Sequence, residues 1–198
     1  MKVNEIFKSI QGEGPATGEA AIFIRLSKCN LKCPFCDTSF DSFKEMTIDE
    51  VMTAVMELKG PKGPEIVVLT GGEPTLQKKE VEGLIKVLHL HCFDVHIETN
   101  GTSDDDFLES VDMVACSPKE QAAYKVSKYA TCLKYVITPE FNAREVITED
   151  IRDKYAGRIY LQPESSQMEE MWKKCYELAI EDSRLRVGCQ LHKLVGVV

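Results

Sequence analysis

Short, continuous apolar runs recur along the chain, and between them lie stretches whose apolar residues return every three or four positions. The runs at 21–26, 65–69, 93–98, 113–116, 133–137, 159–162 and 185–190 read as strands, and most are apolar throughout, as buried parallel strands are. The stretch from Thr47 opens with a Thr47-x-x-Glu50 capping box and puts Ile48, Val51, Met52, Val55 and Leu58 on one face before Gly60-Pro61 stops it. A second helix is predicted over 77–89, stacking Val81, Leu84, Ile85 and Leu88. A third, over 166–180, stacks Met168, Met171, Trp172, Cys175 and Ala179, a methionine-rich face that reads as core packing.

Strands alternating with helices imply βα units around a mostly parallel sheet. There are too few units for a full eightfold barrel, so the expected fold is α/β, an incomplete (β/α) barrel. The length of 198 residues fits a single domain over 1–198. In such folds chemistry gathers where the strands end and the βα loops begin. Segments 27–36, 70–74, 99–101, 117–119 and 163–165 all follow strands, so they are expected to open onto one face.

Composition narrows the function. The formal net charge of -8 argues against a nonspecific nucleic-acid binder, whose affinity comes from clustered Lys and Arg, and favours a small-molecule substrate. No apolar run is long enough to span a bilayer, and the first ten residues carry no secretory pattern, so the expectation is a cytoplasmic protein with no membrane partner. Eight cysteines in a chain of this length then read as reduced thiols. Cys92, Cys116, Cys132, Cys175 and Cys189 are scattered and are expected to be small buried hydrophobes.

The other three are clustered: Cys29, Cys33 and Cys36 stand in a C-x3-C-x2-C loop directly after a strand. Soft thiolates suit zinc or an iron-sulfur cluster. Structural zinc wants four ligands, and no fourth is obvious nearby. Three cysteines on a four-iron cluster leave one iron open to a ligand, which is the functional signal. A non-catalytic iron-sulfur or zinc protein stays as an alternative. Thr70-Gly71-Gly72-Glu73-Pro74 follows the next strand, with glycines that let backbone approach closely and a carboxylate that can accept from an ammonium.

This cysteine spacing, with Phe35 before the last cysteine and a Gly-Gly-Glu-Pro turn about forty residues on, resembles the radical S-adenosylmethionine (SAM) superfamily. The resemblance implies a 4Fe-4S cluster on Cys29, Cys33 and Cys36 whose open iron chelates SAM. Reductive cleavage then gives a 5'-deoxyadenosyl radical. It further implies that SAM is bound by Phe35, Cys36, Asp37, Gly71, Gly72, Glu73, Ser117, Pro118, Lys119 and Gln162.

Three more stretches resemble one family within that superfamily, the 7-carboxy-7-deazaguanine synthases. They are Glu5 to Gly14 with Phe23-Ile24-Arg25-Leu26, then Cys36-Asp37-Thr38, and Gln190-Leu191-His192-Lys193, which alone reads as an amphipathic strand end. The likeness extends over essentially the whole chain. It implies conversion of 6-carboxy-5,6,7,8-tetrahydropterin to 7-carboxy-7-deazaguanine with loss of ammonia, in queuosine and 7-deazapurine biosynthesis.

By the same resemblance Thr38 is a Mg2+ ligand, and Ile10, Gln11, Gly12, Glu13, Arg25, Thr70, His192 and Val198 contact substrate. A pterin edge mixes donors and acceptors, which Gln11, Gly12 and Glu13 can read, and Arg25 can pair either with the substrate carboxylate or with an acid of the protein. Expected partners are an electron donor such as flavodoxin or ferredoxin and a second copy of the chain in a homodimer. A glycyl-radical-enzyme activase, which shares the cysteine spacing, is the rival within the superfamily.

Overall fold

The structure is a computed structural model, and it describes all residues except 37, 40, 41, 166, 167 and 198, together with the side chain of 168. The chain begins with strands β1 (Lys2–Ile10), β2 (Ala20–Leu26) and β3 (Lys44–Glu45), then helix α1 (Ile48–Lys59) and strand β4 (Ile66–Gly71). Helix α2 (Lys78–Leu90) leads to β5 (Asp94–Thr99), β6 (Met113–Cys116) and β7 (Cys132–Ile137). Helices α3 (Ala143–Val146) and α4 (Glu149–Lys154) precede β8 (Ile159–Pro163), and α5 (Met168–Glu181), β9 (Leu185–Val187) and α6 (Leu191–Val195) complete the order.

Among the described residues the strands form one sheet in the order β3-β1-β2-β4-β5-β6-β7-β8-β9. From β2 to β9 every neighbour is parallel. The seven expected strands are this parallel run, and its ends do not pair, so the barrel is incomplete as expected. Sequence reading missed β1 and β3, which add antiparallel to β2 and to β1 on one side. β1 mixes polar and apolar residues and is mostly half-buried, so it lacks a continuous apolar run.

Local chemistry sets the helices. The Thr47 hydroxyl accepts from the Glu50 N–H at 3.2 Å, while the Glu50 carboxylate accepts from the Thr47 N–H at 2.8 Å. Val51, Met52 and Val55 of α1 and Val81, Leu84, Ile85 and Leu88 of α2 bury against Ile22, Ile24, Leu69 and Val95 of the sheet. Each such side chain contributes roughly 1.5–3 kcal/mol on leaving water. A second apolar cluster joins Leu133, Tyr135 and Leu161 to Met171 and Cys175 of α5. On the concave side Ala21, Phe23, Ile66 and Val68, with Phe7 against them, form one small apolar cluster, and Ala115, Cys132 and Tyr160 form another, while the strand ends line the cavity of the site.

Two expectations need correction here. The last strand ends at Val187 instead of 190, and Gln190 begins the short helix α6, so Gln190 to Lys193 is not a strand end. Of the scattered cysteines, Cys116, Cys132 and Cys175 are buried, Cys189 is half-buried, and Cys92 is exposed in a positive-φ turn after α2.

Candidate active site

The five strand-end segments do open onto one cavity of about 470 Å3, within the roughly 300–1,000 Å3 range of ligand pockets. Cys29, Cys33, Cys36 and Phe35 line it from the loop after β2, Thr70, Gly71 and Gly72 from the end of β4, and Thr99 and Asn100 from β5 and its following loop. Ser117 and Lys119 follow β6, and Gln162 to Ser165 follow the middle of β8. Ile10 enters from the end of β1, Gln11 and Glu13 from the loop after it, and His192 from α6.

The cysteine loop is held from three directions. The Gly72 N–H donates to the Leu26 carbonyl at 2.9 Å and the Glu73 N–H to the Lys28 carbonyl at 2.8 Å, which stitches the end of β4 to the start of the loop. Asn100 Nδ2 donates to Asn30 Oδ1 at 2.9 Å, and Asn30 Nδ2 to the Thr102 hydroxyl at 3.0 Å. On the far side the Gln121 amide pairs with both backbone groups of Lys32, at 2.9 and 2.5 Å. Glycine is required at 71, where φ is +124° and a Cβ would meet the Leu26 carbonyl at 2.1 Å.

The three thiols line the cavity together, and soft thiolates suit an iron-sulfur cluster. Among the described residues no group of three His, Cys, Asp or Glu closes on a position for one metal ion. Burial pushes the Cys29 and Cys33 thiols up, although the Lys119 ammonium draws Cys33 the other way. Iron binding would displace those protons.

From the end of β8, Gln162 lines the cavity while largely buried, and its Nε2 has no partner among the described residues. A buried donor left unmade is costly, so an acceptor in the cavity would suit this atom. Lys119 lies over the Phe35 ring at 5.9 Å and donates to the Ser117 hydroxyl. Burial and the like charge of Lys134 lower its affinity for a proton. A donor amide and an ammonium suit the carboxylate of an amino-acid ligand such as SAM.

The opposite wall is charged. Lys134, from β7, pairs with Glu13 at 2.6 Å and with Glu98, from β5, at 3.2 Å. Gln190 Nε2 donates to Glu13 at 2.7 Å, and Gln11 Nε2 and the Thr70 hydroxyl each donate to Glu98 at 3.2 Å. Burial alone would raise Glu13, but the Lys134 ammonium holds it well below the usual carboxylate range. Sequence reading missed Lys134 and Glu98 as site residues. The available signal was a lysine inside the otherwise apolar run CLKYVI, which a buried strand tolerates only with a partner.

Other expected residues stand differently. Glu73 is fully buried outside the cavity wall, and its carboxylate accepts from the Thr75 N–H and hydroxyl, the Thr99 hydroxyl and the Asn100 N–H at 2.7–3.1 Å. It anchors two strand-end loops. Pro118 is buried behind the wall. Gly12 also lies outside it, because the His192 ring packs where its Cβ would be, 1.9 Å from Nδ1. Arg25 lines the cavity but is paired with Glu5 at 2.6 Å, and it donates to the Thr38 hydroxyl at 3.4 Å. Thr38 lines the cavity too, with no carboxylate set for a cation around it among the described residues. Asp37 and Val198 lie outside the described residues.

Comparison with known proteins places the chain among its relatives. Residues 23–117 match the profile of the radical SAM superfamily. The chain is 38% identical over 210 aligned positions to a 7-carboxy-7-deazaguanine synthase of Aquifex aeolicus, covering 98% of this chain and 92% of that one. It is 36% identical to a protein of the same name from Bacteroides thetaiotaomicron, covering 99% and 98%. Its fold is similar to the crystal structure of QueE from Escherichia coli, with a TM-score of 0.75 and 27% identity over 96% of this chain and 94% of that one.

Proposed function

The chain belongs to the 7-carboxy-7-deazaguanine synthase family of radical SAM enzymes, and from that membership and the cavity we propose that it converts 6-carboxy-5,6,7,8-tetrahydropterin to 7-carboxy-7-deazaguanine with loss of ammonia. The observation that carries this reading is the division of one cavity into a thiol end and a charged polar end. The product belongs to 7-deazapurine biosynthesis.

Cys29, Cys33 and Cys36 would hold the 4Fe-4S cluster, and Gly71, Gly72, Ser117, Lys119 and Gln162 would surround SAM. Together the two groups supply one-electron cleavage of the sulfonium and hydrogen-atom abstraction from substrate. The protein orients the reactants. Phe35 and the loops after β2 and β4 shield the thiol end, while Gln11, Glu13, Thr70, Glu98 and His192 present acceptors and donors to the pterin ring from the other end. Arg25 sits between them, where its remaining N–H groups can meet the substrate carboxylate.

The described residues form no protein-only cage for Mg2+, which prefers hard oxygens and retains water. Thr38 is the one expected protein ligand, and water and substrate oxygens would supply the rest. A polar wall this enclosed suits a small ring better than a protein loop, which sets the activase reading aside. The whole of 1–198 is read as one catalytic domain. All eight cysteines are unpaired, which supports a reducing cytoplasmic setting. A flavodoxin or ferredoxin as reductant and a homodimer complete the proposal.

The test is anaerobic: reconstituted enzyme is mixed with reductant, SAM, Mg2+ and 6-carboxytetrahydropterin, and products are followed by mass spectrometry. 7-Carboxy-7-deazaguanine is expected. SAM cleavage without it would overturn the substrate, and no cleavage by a fully loaded, reduced cluster would overturn the radical chemistry.

A further inference from the structure

Lys134 rises from the middle of β7 with a side chain only 6% exposed, and its ammonium stands between two carboxylates delivered by different parts of the chain. Glu13 comes from the loop after β1 and Glu98 from β5, and both line the cavity. Two carboxylates meeting in a buried wall repel each other, and without a cation one of such a pair takes up a proton. The paired lysine removes that reason to protonate.

We propose that Lys134 is a positioning residue that keeps Glu13 and Glu98 ionised side by side, so that together they form an acceptor-only subsite for the amino and ring N–H edge of the pterin. This rests on the pterin reading above and deepens it. A carboxylate has about four lone-pair sites. Glu13 gives two to Lys134 and Gln190, and Glu98 gives three to Lys134, Gln11 and Thr70, which leaves acceptor capacity on the cavity wall. A protonated acid in either place would set a donor against the ring's own donors. It would favour a ring bearing an oxo group in place of the amino group.

The charged groups facing this trio are few. The Lys119 ammonium approaches Lys134 from the loop after β6, and the His192 ring approaches Glu13 from α6. Both favour ionised carboxylates. Neither is within hydrogen-bond reach of both carboxylates, as Lys134 is.

The experiment is equilibrium binding of 6-carboxytetrahydropterin to anaerobic, SAM-loaded holoenzyme by calorimetry across pH, for wild type, Lys134→Arg and Lys134→Met. Wild type is expected to bind with little pH dependence. Lys134→Met is expected to bind at least about tenfold more weakly near pH 6.5 and to recover as pH rises toward about 8.5, because the freed pair holds a proton that alkali removes. Lys134→Arg should retain most of the affinity. Weakening of Lys134→Met by the same factor at every pH, or none at all, would overturn the proposal while wild-type binding upheld the pterin reading. Wild type that binds no pterin would overturn that reading, and the proposal with it.

Should Lys134→Met fail to fold, Lys134→Met/Glu13→Gln is compared with Glu13→Gln, where only one carboxylate remains to be kept ionised. Less than about threefold difference in binding is expected between them, and more than about tenfold would overturn the proposal.

Discussion

Gly72 and Lys28 meet backbone to backbone: a Cβ on Gly72 would lie 1.9 Å from the Lys28 carbonyl oxygen and 3.0 Å from the Cys29 nitrogen. The neighbour is main chain, so it can yield only by moving the residue that begins the cysteine motif. Gly72→Ala is therefore expected to cost about 1–3 kcal/mol of stability and to lower iron bound per chain after reconstitution. Denaturant unfolding and iron analysis check this. Full iron content at wild-type stability would show that the loop is not pinned there.

Glu73 serves the fold through four hydrogen bonds from Thr75, Thr99 and Asn100. Glu73→Ala leaves those donors without an acceptor and should destabilise by about 2–4 kcal/mol. The deficit should appear in the apoprotein as fully as in the loaded enzyme. A loss seen only when SAM is present would return Glu73 to the ligand.

Gln162 is the opposite case, because its buried Nε2 has no protein partner to lose. Gln162→Leu is expected to leave the melting temperature of the apoprotein unchanged or slightly raised, while weakening SAM binding about tenfold. Calorimetry with SAM decides it.

Asp182 tests the electrostatics outside the site. Arg184 bonds both of its oxygens at 2.9 and 3.0 Å and Arg152 adds a bond at 2.5 Å, so its pKa is held below the ordinary value despite some burial. A lowered folded-state pKa gives stability that is fully present above the unfolded value of about 3.9 and is lost as pH falls through the folded value. Asp182→Asn should therefore be less stable at neutral pH. Its stability should also fall less steeply below about pH 4 than that of wild type.

Thr38→Ala is expected to leave cluster loading and SAM binding intact and to weaken the response of turnover to Mg2+. A titration with Mg2+ at saturating substrate measures it, and an unchanged curve removes Thr38 from the metal site.

The parallel strands were legible because burial on both faces writes itself as an apolar run, as in the Ile66 to Leu69 part of β4 and in Met113–Cys116. β1 was not, since a half-buried strand carries Asn4, Glu5 and Lys8 among its apolar residues. The thiol end of the site lies within short motifs and could be read locally. Lys134 and Glu98 could not, because their meaning comes from partners 121 and 36 positions away. For Glu73 the motif names the residue without showing its bonds to Thr75, Thr99 and Asn100, which come from the fold.

The two ends of the cavity differ in when they can exist. Everything that braces the cysteine loop, from Asn30 to Gln121, is present once the first two-thirds of the chain has been made. The polar wall waits for Gln190 to reach back to Glu13 across 177 positions, and for the Leu191 N–H to reach the Gly12 carbonyl. As a chain grows from its N-terminus, the thiol end of the cavity precedes its polar wall. On the proposed reading the enzyme acquires the seat of an indiscriminate oxidant before the walls that direct it, and completing the last helix joins the one to the other.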